Sequence, residues 1–126
     1  INEMQTKYGV HDWIKKASPE QRNEYLKFRA DFLKEELTEL NNAIYHADSE
    51  EVVDALIDLC VVAIGTLDSF QVDAHKAWNE VLKANMNKQV GVKEGRPNPL
   101  GLPDLTKPED WEAPDHSGNY GILYDF

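Results

Sequence analysis

The chain has 126 residues and a formal net charge of −10, from 13 Lys and Arg against 23 Asp and Glu. That length suits one hydrophobic core, and a hydrophobic content of 41% indicates a folded chain rather than a disordered acidic tail. The acidity argues against a nucleic-acid partner, because reading a phosphate backbone needs a basic face unless metal ions supply the positive charge. No apolar run reaches the ~18 residues of a membrane span, and no signal-peptide pattern opens the chain. The one cysteine, Cys60, cannot form an internal disulfide. It sits in Leu59-Cys60-Val61-Val62 and reads as a small buried hydrophobe of an intracellular protein.

In chain order, a short segment from Ile1 to Lys16 ends at Ser18-Pro19-Glu20, where Ser18 can cap a helix and Pro19 fits its first position. The helical pattern that follows runs to about His46 without Gly or Pro. At about 100° per residue, Leu33, Leu37, Leu40 and Ile44 share an arc that Tyr25, Phe28 and Phe32 extend. Ser49, with Glu50 and Glu51 behind it, looks like the next cap and acidic first turn. From Val52 to Leu67 the residues are apolar all round except for Asp54, Asp58, Gly65 and Thr66, which predicts a central helix buried on every side. A third pattern, Asp73 to about Met86, places Trp78, Val81 and Leu82 together.

Beyond Lys88 the composition changes: residues 91–126 hold five of the seven glycines and five of the six prolines. Such a segment cannot be a regular helix. Its aromatics Trp111, Tyr120, Tyr124 and Phe126 predict an ordered strap docked on the helical body or on a neighbouring subunit, with a free tail as the second choice. No strand alternation is long enough to propose a sheet. The expected architecture is an all-α helical bundle over 1–90 with a Pro/Gly-rich C-terminal arm, 91–126, of the same domain.

The charge is unevenly placed. Ten acids and no Lys or Arg lie between Glu35 and His75, while the other residues carry thirteen of each. Glu36 and Glu39 fall inside the apolar arc of the long helix, and Glu51, Asp54 and Asp58 project within about 60° of one another on the next. Glu24 and Glu50 read as solvated surface acids. Asp54 and Asp58 do not, because they interrupt an apolar helix, and buried carboxylates that repel one another need a neutraliser. Arg29, on the inner arc before Glu36, is the nearest protein cation. Hard divalent ions are the other choice, and an all-oxygen set without Cys or clustered His suits Mg²⁺ or Mn²⁺ rather than Zn²⁺. A metal in a carboxylate cage takes phosphate oxygens as its usual partners. Asn85 and Lys88 close the third helix, either as a terminus with a favourable dipole cation or as a polar contact and a phosphate ligand.

These residues resemble the MazG-like all-α nucleoside triphosphate pyrophosphohydrolases. That superfamily includes all-α dUTPases, dCTP pyrophosphatases and phosphoribosyl-ATP pyrophosphohydrolase. Its mark is E-x-x-E on one helix and E-x-x-D on the next, here Glu36-Leu37-Thr38-Glu39 and Glu51-Val52-Val53-Asp54, with Glu35 completing E-E-x-x-E. The run Asp54-Ala55-Leu56-Ile57-Asp58, then Gly65-Thr66 and Asn85-Met86-Asn87-Lys88, is similar to a phage and bacterial sub-branch, as is the arm around Lys107-Pro108-Glu109-Asp110-Trp111. The likeness covers roughly residues 20 to 90.

The resemblance implies hydrolysis of a (deoxy)nucleoside triphosphate between the α and β phosphates, giving the monophosphate and pyrophosphate, in control of the nucleotide pool. Glu36, Glu39, Glu51 and Asp54 would hold Mg²⁺, or Mn²⁺, with Asp58 as a further ligand or an acceptor behind them. Glu35 would be the general base, with Glu36 sharing the catalytic role; Arg29, Asn85 and Lys88 would meet the substrate. The base stays open between dGTP, dUTP and dCTP. A homodimer or homotetramer with composite sites is implied, in the cytoplasm, the host's where a phage encodes the protein. The alternative is a non-catalytic nucleotide-binding or sensing module. A ferritin-like di-iron bundle would need Glu-x-x-His motifs, and none of the four histidines follows a Glu by three. A P-loop nucleotidase would need G-x-x-x-x-G-K-[ST], which does not occur.

Overall fold

A computed structural model describes residues 1–124 and 126. Five helices occur among them: α1 (Asn2–Lys7), α2 (Val10–Lys16), α3 (Pro19–Tyr45), α4 (Ser49–Ser69) and α5 (Ala74–Met86). The all-α expectation is met. The one departure is a two-stranded antiparallel ladder, β1 (Gln89–Gly91) with β2 (Asp104–Thr106), in which Val90 faces Leu105. Strands of three residues are too short to show the alternation that betrays a strand in sequence. No helix of the described residues is long and apolar enough to cross a membrane.

The helix starts follow local chemistry. Ser18 caps α3 in a full capping box: its hydroxyl accepts from the Gln21 amide, and the Gln21 side chain accepts from the Ser18 amide. Pro19 takes the first helical position. For α4 the cap is Asp48, one residue before the expected Ser49; its carboxylate accepts from the Glu51 amide at 3.1 Å. The segment Ile1 to Lys16 forms two short helices, parted at Gly9 with φ +72°.

The described chain divides into two compact units, Ile1–Ala74 with Gly118–Phe126, and His75–Ser117. In the first, α3 and α4 form an antiparallel hairpin: Tyr25 bonds Ser69 and Arg29 bonds Thr66 and Val62. Their contact line on α3 is Tyr25, Arg29, Glu36 and Ala43, which lie within about 40° of one another at 100° per residue. The main apolar core sits at one end of the hairpin, where Ile14, Phe70 and Val72 pack with Tyr25, Leu26, Leu67, Ile122 and Leu123. Gln5 is buried beside it, donating to the Gly65 carbonyl and the Ser69 hydroxyl. His11 pairs with Asp68 at 2.7 Å and ties α2 to α4. In the second unit, Trp111 Nε1 donates to the Ala84 carbonyl at 2.7 Å, and Lys88 and Lys107 lie over its ring.

Several expectations are corrected here. Helix α4 is not buried on every side: Val53, Leu56 and Ile57 are exposed, as is Cys60, so the thiol is not a core residue. The cause is the width of the hairpin seam. The covered stripe is narrow, here Ala55, Val62, Gly65 and Ser69, under α3 and, towards its C-terminal end, Gln5 of α1. The docked residues of the C-terminal segment are Trp111, Asn119, Ile122 and Leu123, whereas Tyr120, Tyr124 and Phe126 stay exposed. Asn119 is seated by its side-chain amide, which accepts from the Asp73 amide and donates to the Asp73 carbonyl.

Candidate active site

Helix α3 carries E-x-x-E and α4 carries E-x-x-D, and the antiparallel hairpin sets them opposite each other at the end nearest the turn 46–48. Glu36 lies on the contact line and is buried, with 7% exposure. Glu39, one turn on, is exposed; so are Glu51 and Asp54, while Asp58 is half-buried. Burial thus falls on a different acid than expected. Asp54 is a surface carboxylate at the rim of the seam, and the group that the fold strips of water is Glu36.

The consequences are electrostatic. Burial, and then the charges of Glu39, Asp58 and Glu35, push the Glu36 carboxyl above the usual carboxylate range. Its Oε2 is buried with no hydrogen-bond partner. Desolvation, and then the charges of Asp54, Asp48, Glu39 and Asp58, push Glu51 up as well. Every one of those influences acts in the same direction, and no cation is among them. The fold therefore brings all five predicted metal ligands into one repulsive field. Sequence reasoning missed Asp48, which joins this field from the α4 cap; its signal was the acid immediately before Ser49. A groove of about 650 Å³ opens here, lined by Asp48, Glu50, Glu51, Val53, Asp54 and Ile57.

A hard divalent cation fits that donor set. The donors are all carboxylate oxygens, they repel one another, and one buried oxygen has no partner of its own. As they stand, no three acids converge on one ion position among the described residues. Glu35 is exposed at the edge of the seam, near enough for its charge to act on Glu36. Arg29 lies on the seam itself. Asn85 and Lys88 belong to the second unit, where Asn85 is exposed and the Lys88 ammonium rests 5.5 Å from the Trp111 ring centroid.

Acids paired across two helices in this way matter because of what the sequence around them matches. The sequence profile of the phosphoribosyl-ATP pyrophosphohydrolase family matches residues 10–85, which spans α2 to α5. The chain belongs to that family. The family lies within the MazG-like all-α nucleoside triphosphate pyrophosphohydrolase superfamily, so the protein is a pyrophosphohydrolase acting on a nucleotide phosphoanhydride. MazG-like pyrophosphohydrolases are generally divalent-metal dependent. No curated protein and no solved structure matches the chain.

Proposed function

We propose that the protein hydrolyses a nucleoside or deoxynucleoside triphosphate between the α and β phosphates, releasing the monophosphate and pyrophosphate. The observation that carries this reading is Glu36: a carboxylate buried on the α3–α4 seam, with an oxygen that lacks a partner and with the charges of Glu39, Asp58 and Glu35 acting on it. A fold retains so costly an arrangement when a ligand compensates it. Glu36, Glu39, Glu51 and Asp54, with Asp58 behind, would hold that ligand, Mg²⁺ or Mn²⁺. When bound, the ion offsets charge building up on the phosphates.

The remaining chemistry falls to protein groups. Water adds to the α phosphorus, the bond to the bridging oxygen breaks, and pyrophosphate leaves. Glu35 takes the proton from that water, because an exposed acid at the edge of the field is the one not committed to metal.

A homodimer or homotetramer fits the exposed apolar side chains of the hairpin. Leu37 and Ile44 on α3, with Val53, Leu56 and Ile57 on α4, are each close to half exposed or more. Such a cluster is more than scattered surface hydrophobes require. A second copy would cover it and complete the site.

The test is a panel of dNTPs, NTPs and phosphoribosyl-ATP with Mg²⁺, with products identified. Pyrophosphate and a monophosphate are expected. Orthophosphate instead would overturn the reaction. Tight nucleotide binding without turnover would favour a sensing module.

A further inference from the structure

Helix α4 carries a glycine, Gly65, in its interior, where glycine is a poor helix former. It is not there for backbone freedom, since it sits in regular helix. It is there for space. A β-carbon at position 65 would lie 2.9 Å from Nη2 of Arg29, closer than such atoms approach. The guanidinium therefore lies in a notch that Gly65 opens. Nη2 donates to the Val62 carbonyl at 3.0 Å, Nε donates to the Thr66 hydroxyl at 2.9 Å, and the Phe32 ring lies beneath at 5.8 Å.

This arrangement holds the arginine fast without neutralising it. A guanidinium has five N–H donors, of which two go to α4 in this way. Three remain, both on Nη1 and one on Nη2. Among the described residues Arg29 forms no ion pair, in a region otherwise dominated by acids. Lys34, the one other cation between Arg29 and Glu36, is 82% exposed on its side chain and pairs with Asp31 at 3.9 Å. Val62, which anchors Nη2, is four residues from Asp58, about 6 Å along the helix. The unused donors thus lie about one turn from Asp58, the nearest acid of the field, while Glu36 is seven residues from Arg29, about 10 Å along α3.

A planar fork of fixed donors, charged and unpaired, matches two oxygens of a phosphate better than any base or sugar group. We infer that Arg29, set by the Gly65 notch, grips the β and γ phosphates and carries the charge of the leaving pyrophosphate. This deepens the proposed hydrolysis and rests on it. The acids and their cation would take the α phosphate, and Arg29 the terminal pair, so that the bond to be broken lies between the two.

Inorganic pyrophosphate with Mg²⁺, titrated calorimetrically into the full chain, reads the site without turnover. Arg29→Gln is expected to weaken its binding about tenfold or more, and Arg29→Lys by less, since the charge stays and the fork goes. Gly65→Ala is the sharper variant. Its clash falls on the far end of a flexible side chain, so the helix keeps its course and gains a better helix former while the guanidinium is pushed aside. It should hold or raise the Tm, weaken pyrophosphate binding about fivefold or more, and raise KM for the substrate more than it lowers kcat. Binding of the nucleoside monophosphate should change by less than about twofold.

If Gly65→Ala and Arg29→Lys bind pyrophosphate as the wild type does, Arg29 is only a pin between α3 and α4. Equal losses for monophosphate and pyrophosphate would overturn the assignment too. Should the wild type turn over a nucleotide while both variants keep its KM, the Arg29 role falls and the hydrolysis stands. Release of orthophosphate by the wild type overturns the reaction instead.

Discussion

Gly121 lies against the carbonyl oxygen of Phe70, with no space between them for a side chain. A β-carbon on Gly121 would meet that oxygen and, at 2.8 Å, the carbonyl oxygen of Gln71, and the residue has φ +54°. The next amide, of Ile122, donates to the same Phe70 oxygen at 2.8 Å. Through this contact the C-terminal segment returns to the core and seats Ile122 and Leu123 on Phe70. Gly121→Ala should therefore cost about 2–4 kcal/mol, from overpacking and backbone strain together. Gly118→Ala is the control: its φ is +75° but it faces open space, so about 1 kcal/mol is expected. Urea unfolding of the two variants checks this, and similar midpoints would contradict it.

The carboxylate assignment predicts that Glu39→Gln and Asp54→Asn each lower turnover at least about 100-fold. Both residues are exposed, so helical content by circular dichroism should not change. Near-normal activity in either variant would remove that residue from the metal set.

Stability of the metal-free protein should depend on pH through Glu36 and Glu51. Both carboxyls sit above the ordinary value of 4.5 in the folded chain. They therefore bind protons more readily folded than unfolded. Their stabilising contribution is complete below about pH 4.5 and is lost as the pH rises through the raised folded values. In chelator, Tm should climb as the pH is lowered from 7 towards that window, and Glu36→Gln should flatten the slope and raise Tm at pH 7. Asp104, held below the usual range mainly by its hydrogen bond from Arg96, works the opposite way, and its contribution goes only in stronger acid. Added Mg²⁺ should stabilise the wild type more at pH 8 than at pH 6, since it competes with protons for the same oxygens. A Tm of the metal-free protein that is flat between pH 5 and 7 would speak against the buried Glu36.

The exposed apolar face predicts self-association. Leu56→Glu, at a side chain 47% exposed in the isolated chain, should shift the protein to monomer in sedimentation velocity. Activity should fall with it if the site is composite. A wild type that sediments as a monomer at micromolar concentration would leave the face without this role.

Much of the fold is legible residue by residue. Ser18 and Pro19 announce the start of α3, and the fall in helix formers after Lys88 marks where helices stop. Local chemistry decides these features, because a cap or a proline acts on its own turn. The site is legible for a related reason: E-x-x-E and E-x-x-D place each pair of acids one turn apart, whatever the helices later pack against. Less legible is which face of α3 turns inward. The apolar row Leu33, Leu37, Leu40 and Ile44 reads as the core side, yet the line against α4 is Tyr25, Arg29, Glu36 and Ala43, about 80° round the helix. A second helix chooses its seam by shape and by the hydrogen bonds it can make, as the Arg29 guanidinium does in the Gly65 notch. Of the leftover apolar row, Leu37 and Ile44 then stay at the surface of the single chain, while Leu33 and Leu40 are half-buried.

By itself the sequence determined the three long helices, the family and the spacing of the five acids along α3 and α4, since these depend on composition, spacing and short-range geometry. The tertiary structure alone decided that Glu36 is the acid deprived of water, that Asp54 is not, and that Arg29 faces the seam with donors to spare. Burial belongs to no residue on its own. It depends on which neighbour covers which face, and the antiparallel packing of α3 on α4 settles that here.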